Sequence, residues 1–147
     1  MKSNLNLIVI DSNFILLPFQ FKVDYLSQIR HILEGELEFV IFRQILNELE
    51  SKKKREPQAT KFNRLLNAGL LYLDEHKKDY DINFLNEVKN NDETTDDFLL
   101  RKIISLKTKA NNVFLATNDS DLRKRAKEQY INTIFLRQKK FLSIERI

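Results

Sequence analysis

Leu5-Asn6-Leu7-Ile8-Val9-Ile10 is a short, mostly apolar run with β-branched residues at its end, and it stops abruptly at Asp11. A run of this length and composition reads as a strand buried on both faces, and it places Asp11 at the carboxyl end of that strand. Val113 to Thr117 (Val-Phe-Leu-Ala-Thr) repeats the pattern and runs into Asn118-Asp119-Ser120-Asp121. Glu38 to Phe42 reads as a further strand, and Thr133 to Leu136 as the last one.

Between these runs the apolar period changes from continuous to helical. Tyr25, Leu26, Ile29, Ile32 and Leu33 recur at three and four residues, with Gly35 as a C-terminal stop. A second helix is expected from Arg43 to about Ser51, with Ile45 and Leu49 on its apolar stripe and Glu48 on the same side, facing inward. Pro57 fits the first turn of a third helix, whose buried face is Phe62, Leu65, Leu66, Leu70 and Leu73. Thr95 to Lys109 forms a fourth, with Leu99, Ile103, Leu106 and Ala110 on a stripe that extends backward onto Asp96. A basic helix follows from about Asp121 to Tyr130. Ile82 to Phe84 reads equally as a short strand or a turn. Strands alternating with helices predict an α/β domain, 1–147, built on a mainly parallel sheet. In such sheets ligands bind beyond the carboxyl ends of the strands, where Asp11 and Asp119 fall.

Composition excludes several chemistries. With no cysteine among 147 residues, disulfides and thiolate metal sites are ruled out. The longest apolar runs are too short to span a bilayer, so a cytoplasmic protein is expected. Gly35 and Gly69 are the two glycines and neither follows a strand, so no phosphate-cradling loop of the Walker or dinucleotide type is available. His31 and His76 sit in polar helical contexts and read as surface residues, which argues against a histidine-driven mechanism.

The net charge of +4 matters less than its distribution. Positive charge is blocked into Lys52-Lys53-Lys54-Arg55, Arg123-Lys124-Arg125 with Lys127, and Arg137, Lys139 and Lys140. Negative charge gathers in Asp92, Glu93, Asp96 and Asp97. Basic rims around an acidic centre suit a polyanion held beside a divalent cation. Carboxylates brought together repel one another unless protonated or bound to a cation, and oxygen-only ligands favour Mg²⁺ or Mn²⁺. Phosphodiester hydrolysis is the natural reaction of such a centre.

Val9-Ile10-Asp11-Ser12-Asn13-Phe14 resembles the opening motif of PIN-domain nucleases. Ile45-Leu46-Asn47-Glu48-Leu49 resembles their second motif, Thr94-Thr95-Asp96-Asp97 their third, and Ala116-Thr117-Asn118-Asp119 their fourth. The resemblance runs from Ile8 to Leu142 and keeps the family's motif order. It implies a three-layer α/β/α sandwich and a Mg²⁺ or Mn²⁺ site held by Asp11, Glu48, Asp96 and Asp119. Asn13, Thr117, Asp97 and Asp121 would support these four. It further implies endonucleolytic cleavage of single-stranded or looped RNA leaving a 5′-phosphate, with Lys52, Lys53, Lys54, Arg55, Arg123, Arg125 and Arg137 holding the strand. Thr95 stands where the family has a smaller residue, which leaves the ligand choice between Asp96 and Asp97 open; the helical stripe favours Asp96, and capping by Thr94 accounts for Asp97.

The Leu122 to Ala126 and Ile134 to Lys140 segments resemble the ribosomal-RNA-processing branch of the family more than typical VapC toxins. A VapC-like toxin ribonuclease with an antitoxin partner is the alternative, and a PIN-like RNA-binding or assembly module that does not cut is another. An aspartyl-phosphate protein using Asp11 as nucleophile fits less well, since Asn13 stands where a second aspartate is wanted. The apolar stretch Phe14-Ile15-Leu16-Leu17-Pro18-Phe19 serves either a partner or homodimer contact or, more ordinarily, packing beneath a loop.

Overall fold

The computed structural model describes residues 4–110 and 112–147. Their order is β1 (Leu5–Ile10), α1 (Ser12–Ile15), α2 (Leu17–Gln20), α3 (Tyr25–Ile32), β2 (Glu36–Phe42), α4 (Arg43–Arg55) and α5 (Thr60–Glu75). Then come β3 (Ile82–Leu85), α6 (Thr95–Leu106), β4 (Asn112–Ala116), α7 (Ser120–Glu128), β5 (Asn132–Arg137) and β6 (Phe141–Glu145). The strands form one sheet in the order β3-β2-β1-β4-β5-β6, parallel except for the β5–β6 pair. Helices cover both faces in a three-layer α/β/α sandwich, and all of β1 is buried, as its apolar run requires.

The chain leaves β1 toward β2 on one side and later returns to β4 on the other. β1 and β4 are therefore the pair at which strand order reverses, with Ile10 beside Ala116 at their carboxyl ends. In parallel sheets such a reversal is where ligands bind, here just beyond Ile10 and Ala116. The backbone N–H of Asp11 still bonds the Ala116 carbonyl at 3.0 Å, and that of Thr117 the Ile134 carbonyl at 3.0 Å, so both exits are held in the sheet's geometry.

Several expectations are corrected. The Lys52–Arg55 block is the last turn of α4, which runs past Ser51, and the cations there face the helix's partial negative end. Pro57 lies in the turn before α5, which starts at Thr60 with Ala59 at its N-cap. α6 ends at Leu106, short of Lys109. Ile82–Leu85 is a strand, paired with β2 from Phe39 to Phe42. The last strand is β6, not β5. Its hairpin turns through Gln138 and Lys139 at φ 51° and 56°, the left-handed geometry of a tight hairpin but without the glycine or asparagine that usually marks it. His76 is half-buried, bonded through Nδ1 to the Tyr72 carbonyl oxygen and packed between the Tyr72 and Tyr80 rings. The Phe14 to Phe19 stretch folds into α1 and α2, burying Phe14, Ile15 and Leu17 and leaving Phe19 exposed.

Gly69 allows α5 to press on α1. A Cβ built at this position would lie 2.0 Å from the Ile15 carbonyl oxygen, a backbone atom that cannot swing away. Gly69→Ala should lower stability by about 1–3 kcal/mol, the ordinary cost of overpacking. Urea unfolding will show this as a lower midpoint at unchanged slope; an unmoved midpoint would mean the two helices are not locked at this contact.

Candidate active site

Asp11 follows β1 and caps α1, its Oδ1 accepting the Ser12 N–H at 2.8 Å. Its Oδ2 accepts the Thr117 hydroxyl at 2.7 Å, and the same hydroxyl oxygen accepts the Asp119 N–H at 3.0 Å. One threonine at the end of β4 thus joins the carboxylate after β1 to the backbone of the aspartate after β4. Asn13 reinforces the link: its Nδ2 lies 3.4 Å from both Asp11 Oδ2 and Thr117 Oγ1, while its Oδ1 accepts the Asn118 N–H at 2.9 Å. Asn118 extends the network to β5 by accepting the Leu136 N–H at 2.9 Å. Asp119 Oδ1 caps α7 by accepting the N–H groups of Asp121 and Leu122 at 2.9 and 3.1 Å. Asp121 enters this arrangement through its backbone N–H.

The other acidic residues come from α4 and α6. Glu48 is exposed, not inward-facing, and accepts the Thr95 hydroxyl and the Gln44 side-chain amide. Gln44 is itself buried, one turn before Glu48, and its Oε1 accepts the Lys89 N–H at 3.1 Å. It therefore anchors the segment before α6 to α4. Thr94 caps α6 by accepting the Asp97 N–H at 3.1 Å, and Asp96 lies in the same first turn. The Asp97 carboxylate instead forms an ion pair with Arg125 of α7.

Electrostatics separate Asp96 from Asp97. Burial, then the charge of Asp119, with smaller contributions from Asp97 and Glu48, holds the Asp96 carboxyl above its ordinary range, against an opposing pull from Arg125. Arg125 and Thr94 hold Asp97 below that range. Asp11 is pushed up chiefly by burial and further by Asp96 and Asp119, although Thr117 and Ser12 offset part of this. Asp96 is thus the common neighbour of Asp11, Asp119 and Glu48, and the four acidic residues lie at one end of the sheet. Among the described residues, no three such side chains already converge tightly enough to hold a metal ion together.

Gln44, Thr95 and Asn118 were not among the expected site residues. Gln44 carries a signal, since a buried amide four residues before a glutamate reaches it along a helix. Thr95 departs from the family's motif, and its hydroxyl holds Glu48. Of the cationic residues, Lys52, Lys54, Arg55 and Arg137 are exposed and Lys53, Arg123 and Arg125 half-buried. Lys52 Nζ lies 4.5 Å from the Phe62 ring centroid, and the Arg123 guanidinium lies 3.9 Å from that of Phe135.

The PIN like domain family matches residues 8–139. Ribonuclease VapC4 of Methanocaldococcus jannaschii is 29% identical over 138 residues, spanning 93% of this chain and 95% of that protein. The solved structure of the PIN domain endonuclease Utp24 covers 96% of this chain and 92% of its own, with a TM-score of 0.67 at 21% identity, a likeness of fold.

A carboxyl whose folded pKa exceeds its unfolded one stabilises the fold below the unfolded value, and that contribution is lost as pH rises through the folded value. Asp96 is such a group, raised from an ordinary 3.8. In chelator, the stability of Asp96→Asn relative to wild type should rise between about pH 3.5 and pH 7, since the amide cannot ionise. Thermal unfolding across that range checks the sign, and a difference that falls or stays flat would remove the claimed crowding.

Proposed function

The chain belongs to the PIN-like domain family, and on that premise we propose that it is a divalent-metal-dependent endoribonuclease acting as one catalytic domain. The observation that carries the reading is the shared electrostatic neighbourhood of Asp11, Asp96, Asp119 and Glu48 beyond the β1 and β4 ends. Two carboxyl groups raised by burial and by other carboxylates make a site that gains by binding a hard cation.

The donor set fits Mg²⁺ or Mn²⁺: oxygen only, with no sulfur or imidazole nearby in the motif set. Asp11, Asp96, Asp119 and Glu48 would hold the ion. Each carboxylate oxygen has two lone pairs, so Asp11 can ligate while still accepting from Ser12 and Thr117. Asp119 commits Oδ1 to capping α7, which leaves Oδ2 for the site. Glu48 and Asp119 are exposed and can rotate inward, while Thr117 and Asn13 keep Asp11 fixed. When bound, such an ion supplies positive charge to the phosphate oxygens and makes water more acidic.

The reaction is hydrolysis at phosphorus. The water oxygen bonds to phosphorus as the bond to O3′ breaks, giving a 5′-phosphate and a 3′-hydroxyl, with the water's protons passing to a carboxylate and to the departing oxygen. Lys52, Lys53, Lys54, Arg55, Arg123 and Arg137 would hold the flanking phosphates; Arg125 would join them only on leaving Asp97. Arg137 ends β5 on the same side of the sheet as Asp11 and Asp119. Single-stranded or looped RNA is the expected substrate class, because its backbone can bend into a shallow cleft.

With Mg²⁺ or Mn²⁺ the purified protein should cleave single-stranded RNA, and chelation should stop it. Asp119→Asn should lower turnover by about two orders of magnitude or more. It should keep its melting temperature, because asparagine caps helices about as well as aspartate. A gel assay on labelled RNA reads the first, circular dichroism the second; a fully active Asp119→Asn protein would refute the site.

A toxin role with an antitoxin partner is favoured by the likeness to Ribonuclease VapC4 along nearly the whole chain, whereas ribosomal RNA processing rests on the C-terminal segments described above. Expression of the protein alone separates them. Growth arrest that Asp119→Asn relieves favours the toxin, and normal growth favours processing.

A further inference from the structure

We propose that the groove between α6 and α7 is a subsite for one unstacked RNA base next to the scissile phosphate. This rests on the ribonuclease reading and extends it to sequence preference.

The groove holds about 310 Å³ and is lined by Asp97, Leu100, Arg101, Ile104, Arg125 and Gln129. The first four recur at three and four residues along one face of α6, and Arg125 and Gln129 lie one turn apart at the end of α7, so two helix faces make the walls. Its lining reaches the first turn of α6, which also carries Asp96. Asp97 follows Asp96 directly, and Arg125 lies within electrostatic reach of Asp96. A strand with its phosphate at the carboxylates would pass a neighbouring nucleotide over this opening.

The lining selects the base over the other parts of a nucleotide. A phosphate would meet Asp97 at once, and both guanidinium groups are already neutralised, Arg125 by Asp97 and Arg101 by Glu93. A neutral base meets no such repulsion. Glu93 holds Arg101 through two hydrogen bonds of 2.7 and 2.8 Å, a forked contact that restrains the guanidinium plane, and such planes are surfaces on which bases stack. Ile104 adds an apolar side chain that is 45% exposed and stands outside the core. Gln129 is exposed and carries both a donor and an acceptor with which to read a base edge. The volume is at the lower end of small-molecule sites, as one nucleoside requires.

The test is cleavage of an RNA pool randomised around a fixed cut, scored as relative kcat/KM for each base at each position. Wild type should discriminate by about tenfold or more at one position adjacent to the cut. Gln129→Ala and Ile104→Ser should each flatten that position while leaving preferences elsewhere unchanged, and both sites are exposed enough for the variants to keep the wild-type melting temperature. As a readout free of turnover, Asp119→Asn protein should bind an oligonucleotide with an abasic unit at that position more weakly than the intact one, and Gln129→Ala in the same background should narrow the gap. Cleavage without a preference, or with one that neither variant moves, overturns the subsite and leaves the nuclease. Absence of both cleavage and RNA binding overturns the nuclease reading itself.

Discussion

The parallel pairing of β1 with β4 is the constraint on which the acidic centre depends. It sets Ile10 against Ala116, so the residues that leave the two strands emerge side by side although more than a hundred positions separate them. Thr117 then fixes their spacing with a single hydroxyl, which donates to Asp11 and accepts from the backbone of Asp119. A buried threonine can do this because it is both donor and acceptor; valine, of the same shape, would remove the 2.7 Å bond to Asp11 and leave the Asp119 N–H without this partner, at about 1–3 kcal/mol. The sheet brings the chain ends together, and the hydroxyl determines how their polar groups meet.

The second half of the centre has no such strand pair beneath it. Glu48 sits on a helix and Asp96 on another, and side chains hold the two together. Thr95 reaches Glu48, while Gln44 touches both of them and also the backbone of Lys89. Two ion pairs, Arg101 with Glu93 and Lys102 with Glu87, fasten the segment before α6 to that helix. Arg101 holds the Glu93 carboxyl down at about 2, so this clasp stays charged through mild acid. Exposed pairs of this kind add little to global stability, but they restrict where the start of α6 can lie. The β1–β4 side of the site is built into the core, and the α4–α6 side is a surface assembly held by side chains.

This difference accounts for what the sequence made legible. Asp11 and Asp119 end apolar runs that can only be buried strands, so their placement follows from hydrophobic patterning and the topology of parallel sheets. Asp96 over Asp97 is the reading the helical stripe favours, and the two stand in opposite electrostatic environments, Asp97 being paired with Arg125. Glu48 was misjudged because sharing a helix side with Ile45 says which way a residue leans, not whether the neighbouring helix covers it. β6 was invisible because its turn uses Gln138 and Lys139 in left-handed geometry, where turn chemistry would lead one to look for glycine or asparagine. Thr95 acts through a contact to a helix distant in sequence, which no local pattern encodes, whereas Gln44 adds such long-range contacts to its local one with Glu48.

The charge distribution follows from the same arrangement. The chain is net basic, yet burial, and after it neighbouring carboxylates, hold the Asp11 and Asp96 carboxyls above their ordinary range. A protein could relieve that crowding permanently with an internal cation, and Arg125 does so in part, favouring the charged form of Asp96 while pairing with Asp97. It does not complete the task, because burial and the other carboxylates still leave Asp96 raised. Arg125 therefore steadies the edge of the cluster toward α7 and leaves the charge between Asp11, Asp96 and Asp119 uncompensated. A cluster left part-compensated in this way would gain by binding a cation, as proposed above, which a fully neutralised cluster would not.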